Sequence, residues 1–502
     1  MRRHLEPLIA QRSSHRRAAG RAARRVLVRG ERTRALRVEL LEARTVMTAL
    51  PYGATPDDTG EFMLGDVHVT VVLMESSGAT DNGTITYSSS SAPPSETINY
   101  TPEDWSSWTL AELVDLKERI EDGVNWWKQT LDALPTVRDG LLNFTFDWTR
   151  FDAPVLTPFE PIARRSEDVE RSGVRWIDGF LQPALVAAGL SPSGSVSADM
   201  RKFNNYQRQQ NDADWAFTII VVNNKNDLAN DQQNENMEEK DKGGFAVSGQ
   251  FQNAFSFAGG RYMVVPASRP ASTFAHETGH MFWALDEYQH GGTYNSSRGY
   301  YNTPNTNAWD NPLTGFAQQP SIMTNDVPDG APPTFLLSQA FANHVTSQSS
   351  AAMIGWQDRD EDGLFDVLDV PFELSGTGRF ESSTGIYRFT GNSSVRTLPN
   401  LNPVFLQNDI TINRIREVQY SIDNGPWHVA ESFPERTYKV ELDLSIADSA
   451  LASAGAHTIK IRTIDTRTGA MSPEFVGNVS AGGTPQSVPS EDAGTGGYVY
   501  FD

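Results

Sequence analysis

Two histidines and a glutamate in one short apolar stretch restrict the fold of this chain more than any bulk property does. Residues 274–288 read Phe-Ala-His-Glu-Thr-Gly-His-Met-Phe-Trp-Ala-Leu-Asp-Glu-Tyr, with Phe274, Met281, Phe282 and Leu285 at helical spacing. Residues four apart share a helix face, so His276 and His280 can aim at one point. Two neutral imidazoles converging in that way suit zinc, which accepts nitrogen ligands and leaves a position open for water. Glu277, next to the first histidine, is then placed to take a proton from that water. Asp286 follows His280 by six residues and is the expected third ligand. With only nine histidines in 502 residues, composition alone makes such a match rare.

The rest of the chain must supply a body for this helix. At 502 residues it is long enough for several domains with sizeable cores. Net charge is −21, and it is unevenly spread. The first 50 residues hold 13 Arg against 4 Glu, which leaves 29 basic and 59 acidic residues, a net of −30, on the remainder. A body that acidic argues against a nucleic-acid partner and suits divalent cations. There is no cysteine, which excludes disulfides and thiolate zinc ligands. No run of eighteen apolar residues exists, so no membrane span is expected.

Residues 1–58 read as a basic leader or export segment. Its Leu41-Glu42-Ala43-Arg44 element resembles the amino-terminal segment of exported planctomycete proteins. Beyond it, Val67, Val69 and Val71 alternate with polar residues and predict a strand. A polar loop covers Ser88–Ser95. Thr109 and Glu112 form a capping box ahead of a helix faced by Leu113, Leu116, Ile120, Val124, Trp127 and Leu131. Phe144, Phe146 and Trp148 predict a second strand, and 166–188 a helix weakened by Pro183. Trp215–Val222 reads as a buried strand and Arg261–Val265 as a short fourth one. This is an α/β order, with a mixed sheet beside the motif-bearing helix.

The element order, together with His276-Glu277-x-x-His280, Asp286 and Ser321-Ile322-Met323-Thr324, resembles the metzincin metallopeptidases. The Leu285-Asp286-Glu287-Tyr288 ending resembles the bacterial IgA-peptidase family. The resemblance covers about residues 60–355 and implies a twisted mixed sheet with a zinc site at the catalytic helix. It further implies that Met323, 43 residues beyond His280, forms the Met-turn beneath the metal. Arg261–Val265 is expected as the edge strand that pairs with an extended peptide. The acidic loop Asn223–Gly244, with Asp227, Asp231 and Asp241, reads as solvated or ion-binding. Arg298, Tyr300, Tyr301 and Trp309, in the stretch Tyr294–Pro312, would lie past the ligands and shape a pocket, or form a packed loop. One residue departs from the pattern: Trp283 stands where the family has glycine. A helix that ends differently there would make Glu287 or His290 the third ligand in place of Asp286.

A second metal motif lies at 358–369. Asp358, Asp360, Asp362, Asp366 and Asp369 occupy positions 1, 3, 5, 9 and 12 of a twelve-residue calcium loop. Gly363 takes the turning position and Leu364 the carbonyl position. Calcium in this segment (356–370) would stiffen a linker between the catalytic domain and an all-β region at 371–476. That region resembles immunoglobulin-like or fibronectin-type modules, and 477–502 reads as a flexible tail. The whole is expected to be a secreted or cell-surface zinc metallopeptidase acting on a protein or peptide substrate. The alternative is a calcium-stabilised binding or adhesion protein with an inactive peptidase-like domain.

Overall fold

The structure, a computed structural model, describes residues 50–76, 82–85, 96–99, 108–157, 166–222, 254–289, 291–325, 337–434, 436–452, 455–479 and 486–488. The leader to residue 49, the Ser88–Ser95 and Asn223–Gly244 loops, His290 and the tail beyond residue 488 lie outside the described residues.

The first body is built on β1 (Gly65–Ser76). Val67, Val69, Val71 and Leu73 enter one core, while Val72 and Met74 enter another. A strand buried on both faces belongs in the middle of a sheet. Parallel neighbours flank it. β2 (Leu142–Trp148) and β3 (Ala153–Thr157) lie on one side, β4 (Trp215–Val222) on the other. β5 (Phe255–Phe257) and β6 (Tyr262–Pro266) complete the order β2-β1-β4-β6-β5, in which β5 alone runs antiparallel.

Helices cover both faces. On one side lie α1 (Leu110–Asp132) and α4 (Ala271–Met281); on the other, α2 (Ser166–Ala187) and α3 (Val196–Gln210). α1 starts at the Thr109–Glu112 capping box and buries Leu116, Ile120, Val124, Trp127 and Leu131 as its spacing predicts. It meets α4 closely at Gly123, where a Cβ would stand 2.4 Å from the Ala271 carbonyl oxygen, so only glycine fits. Trp127 then donates its indole N–H to the Ala275 carbonyl at 2.8 Å. That bond satisfies the one polar group of a fully buried ring. α4 is thereby fixed from behind by the sequence of α1.

Arg261–Val265, expected at the sheet edge, is not the outermost strand. Tyr262–Pro266 is buried throughout and lies one strand in, while among the described residues Phe255–Phe257 forms the edge. An unbroken apolar run of this kind fits an interior strand. The helix Val196–Gln210 was not anticipated either, because its packed face carries Asp199, Asn204, Gln207 and Arg208 beside Met200 and Phe203.

The second body consists of two four-stranded antiparallel sheets. β7 (Glu373–Glu381), β8 (Ile386–Ser394), β11 (Lys439–Ala447) and β14 (Gln486–Val488) form one, ordered β11-β8-β7-β14. β9 (Glu417–Ile422), β10 (His428–Ser432), β12 (His457–Ile464) and β13 (Phe475–Val479) form the other, ordered β10-β9-β12-β13. Tyr387, Phe389, Leu444, Ile459, Ile461 and Phe475 fill the space between them. The fold is therefore a mixed α/β domain followed by antiparallel β structure.

The two bodies share more than a linker. Trp356, Phe365, Val367 and Leu368, from the segment expected to be a connector, belong to the first core. So do Ile410 and Ile412 from the β8–β9 connection. At the amino-terminal side, Tyr52 bridges to Thr411, so the chain is packed from the first described residues. An ionic cluster crosses the junction, buried at Arg414–Asp214 and partly exposed at Asp212 and at Arg467–Asp66. Arg414 bonds Asp214 at 2.5 Å, Arg436 bonds Asp212 at 2.6 Å, and Arg467 reaches Asp66 at 2.7 Å. No helix among the described residues is long and apolar enough to cross a membrane.

Candidate functional site

α4 presents the histidine pair as the sequence requires. His276 Nδ1 lies 2.9 Å from the Ile322 carbonyl oxygen, and His280 Nδ1 lies 2.7 Å from the Ala284 carbonyl oxygen. A carbonyl only accepts, so both Nδ1 atoms carry hydrogen and donate. In the neutral rings each Nε2 then presents a lone pair. The two Nε2 atoms stand 3.2 Å apart, and Asp286 Oδ1 lies 3.1 Å from each. Two lone pairs and a carboxylate oxygen facing one another call for a shared cation.

The donor set fits zinc. Ligands about 2.0–2.1 Å from a tetrahedral zinc stand about 3.3 Å from one another. The separations of 3.1, 3.1 and 3.2 Å match one face of that tetrahedron and leave the fourth corner for substrate or water. The site's charges are coupled. Without a metal ion, burial would lower His280, but the Asp286 carboxylate overrides this and raises it to about 9, so an ion entering the site displaces a proton from Nε2. Burial would likewise raise Asp286, and His280 instead holds it well below the usual carboxylate range.

Asp286 reaches this position because of Trp283. After α4 ends, Trp283 adopts φ +79°, the left-handed conformation that glycine tolerates best. Its indole is 5% exposed and lies against Gly259, where a Cβ would come within 2.7 Å of the ring. Packing of a large buried ring therefore offsets the backbone strain. The chain turns as a glycine would let it turn.

Glu287, one of the two alternatives for the third ligand, faces away from the histidines. It is fully buried, and its carboxylate accepts from Asn307 Nδ2 at 2.7 Å, Ser350 Oγ at 2.6 Å and the Ser347 hydroxyl. Its N–H donates to the Met323 carbonyl at 3.0 Å, and its own carbonyl accepts from the Trp309 N–H. Glu287 thus ties the residue next to Asp286 to the Met323 turn and to α6 (Gln348–Met353), which follows α5 (Leu337–Ala342). Sequence spacing gives no sign of this anchor, because its partners lie 20 to 63 residues away.

Met323 is fully buried beneath the helix. A Cβ at Gly279 would stand 2.7 Å from its sulfur, so the glycine inside the histidine motif makes room for this thioether. Glu277 is 4% exposed, and Ser256 Oγ donates to its Oε2 at 2.5 Å. Ser256 was not anticipated. Tyr288 lies near His276 with its ring tilted by 37° and the ring centroids 6.2 Å apart.

Of the residues expected to shape a pocket, Tyr300 is buried and its hydroxyl donates towards the Leu398 carbonyl at 2.8 Å. Tyr301 lies under the Arg359 guanidinium, 5.1 Å from its ring centroid. Both belong to the junction between bodies. Arg298 bonds the neighbouring Ser297 carbonyl, while Trp309 stays 46% exposed.

In the acidic loop, ligand atoms of Asp358, Asp360 and Asp362 lie within 4.8 Å of one another. Asp366 is outside that trio because Gln357 Nε2, the Arg359 N–H and the Arg359 guanidinium occupy its carboxylate. Asp369 also lies outside it. Burial, followed by the charges of Asp362 and Asp360, raises Asp369 above the ordinary range. Leu364 donates its N–H to Asp362 Oδ1 at 2.8 Å. Gly363, at φ +87°, packs so tightly on the Thr136 carbonyl that a Cβ would approach it to 2.3 Å. The loop is therefore seated on the first body.

No protein-family model matches this chain, and no curated protein matches it. Among solved structures there is a weak likeness to OgpA from Akkermansia muciniphila. The catalytically inactive form, in complex with an O-glycopeptide (glycodrosocin) substrate, is 10% identical, covers 87% of this chain and 95% of that one, and has a TM-score of 0.19. Wild-type OgpA in one crystal form gives 10% identity, 87% and 96% coverage, and the same TM-score of 0.19.

Proposed function

We propose that this chain is a secreted or cell-surface zinc metalloendopeptidase with a metzincin-like catalytic domain. The observation that carries the reading is the convergence of His276 Nε2, His280 Nε2 and Asp286 Oδ1 with Glu277 one residue from the first ligand. The parallel sheet with one antiparallel edge strand, and Met323 packed under Gly279, also support it.

His276, His280 and Asp286 would hold the ion, which when bound acidifies a water and polarises a carbonyl. Glu277 takes a proton from the attacking water as the new carbon–oxygen bond forms. It then gives that proton to the departing nitrogen as the carbon–nitrogen bond breaks. Ile322 and Ala284, through their carbonyls, keep both imidazoles in one orientation and one tautomer. A protein or peptide substrate would lie along β5, the outer strand next to Glu277. Calcium held by Asp358, Asp360 and Asp362 would have a structural role, bracing the loop that joins the bodies.

Glu277→Ala tests the reading. The variant should retain one zinc per chain and lose hydrolysis of labelled casein by at least about 1,000-fold, since it removes the base without removing a ligand. Wild type that binds zinc and cleaves neither casein nor a random peptide library would defeat the enzyme reading and leave the adhesion alternative.

A further inference from the structure

Glu277 is buried, and a buried carboxylate needs a donor to hold it. Among the described residues that donor is Ser256. Ser256 is the middle residue of β5, antiparallel to β6 and opposite Met263. Alternate residues of a strand point to opposite faces. Phe255 and Phe257 accordingly pack on the core beneath α2 and α3, and Ser256 is left facing α4.

The Ser256 hydroxyl has one hydrogen and two acceptors in reach, Glu277 Oε2 at 2.5 Å and the Glu277 carbonyl at 3.2 Å. The shorter contact is to the charged oxygen, and charge-assisted bonds are the stronger ones. Oε2 is therefore engaged, while Oε1 has no donor among the described residues.

We propose that Ser256 is the positioning residue for Glu277: its hydroxyl ties down Oε2 and fixes the rotation of the carboxylate, leaving Oε1 as the oxygen that handles the proton. This rests on the peptidase reading above. In the first step a water O–H bond breaks and Oε1–H forms. In the second, Oε1–H breaks and the departing nitrogen gains the proton. Ser256 donates to Oε2 throughout and exchanges no proton itself. The strand that would align a peptide thus also orients the base.

The test compares Ser256→Ala, Ser256→Val and Ser256→Thr in the zinc-loaded full chain. The substrate is the best-cut member of an internally quenched peptide library. Val and Thr have nearly the same shape and both suit a strand, so the pair isolates the hydroxyl. Ser256→Ala and Ser256→Val should keep one zinc per chain and remain folded at the assay temperature, with a melting temperature a few degrees below wild type for the donor lost to a buried carboxylate. Their kcat should fall about 10- to 100-fold with KM within about twofold, the size expected for one hydrogen bond to a charged group acting on the chemical step. Ser256→Thr should restore kcat to within about threefold of wild type.

Equal kcat for Ser256→Val and wild type would overturn the inference and leave the peptidase reading intact. Loss of folding or zinc in both Ala and Val variants, with Thr intact, would make the hydroxyl a structural requirement and overturn it as well. Absence of any hydrolysis by wild type would overturn both claims together.

Discussion

Glu287→Gln removes one negative charge from a fully buried pocket and changes nothing else in shape, which makes its consequences calculable. In the native pocket every near group is a donor: Asn307 Nδ2 at 2.7 Å, Ser350 Oγ at 2.6 Å, the Ser347 hydroxyl and, more distantly, Ser349 Oγ at 3.4 Å. A glutamine can keep its carbonyl oxygen towards the two serines, but its amide then meets the Asn307 amide donor to donor. Flipping Asn307 does not relieve this, because Asn307 Oδ1 already accepts from the Gln319 N–H at 2.6 Å. At least one buried donor pair is left unsatisfied, costing about 1–3 kcal/mol, and two charge-assisted bonds become neutral ones, costing about 1 kcal/mol each. A loss of about 3–5 kcal/mol in stability is expected from urea unfolding followed by tryptophan fluorescence. Zinc affinity should fall only about 10- to 100-fold, as for a group that supports a ligand without being one. Glu287→Ala should cost at least about 3–5 kcal/mol, since four donors, Ser349 Oγ among them, lose their acceptor. Complete loss of zinc from a folded Glu287→Gln protein would refute the reasoning, because it would make Glu287 a ligand. Unchanged stability would refute it too.

Three further outcomes follow from named residues. At Trp283 the usual order of helix-end substitutions should invert: Trp283→Gly should be more stable than Trp283→Ala by about 1 kcal/mol, because both lose the indole and only glycine relieves φ +79°. Equal melting temperatures would contradict this. Burial and the Asp58 charge raise Glu61 to about 7, above its ordinary value of 4.5. The folded state therefore binds the proton more tightly, and this share of stability is present below pH 4.5 and lost as pH rises through about 7. The loss is on the order of 3 kcal/mol, so Glu61→Gln should flatten the fall in stability between pH 5 and 8, and an unchanged slope would exclude Glu61 as its source. Calcium at about 100 times its Kd should stabilise the chain by about 2.7 kcal/mol in urea, and Asp360→Ala should abolish the effect. A calcium response that survives Asp360→Ala would place the ion elsewhere.

The features legible in the sequence were those written in local periodicity. The alternation around Val67–Leu73, the apolar face of the helix from Leu113 to Leu131 and the histidine pair four residues apart each state their element within a dozen residues. What escaped depends on partners far away in the chain. The Val196–Gln210 helix buries Arg208 and Asn204 against distant carbonyls, so its packed face looks solvated. Whether Tyr262–Pro266 lies at an edge depends on the short strand Phe255–Phe257 covering it, and nothing within the strand says so. Trp283 was visible as a misfit. Its resolution required Gly259, whose missing side chain admits the indole. Asp286 and Glu287 are adjacent carboxylates in sequence, and only Asn307, Ser347 and Ser350 separate their roles. Ser256 has no sequence signal beyond a polar residue between two phenylalanines.

Diffraction from zinc-loaded crystals, recorded on both sides of the zinc absorption edge, tests the central claim most directly. The account predicts a single anomalous peak per chain, bonded to His276 Nε2, His280 Nε2 and Asp286 Oδ1, with Glu277 outside the ligand set. A peak bonded to Glu287 or His290, or no peak between the two histidines, would contradict it.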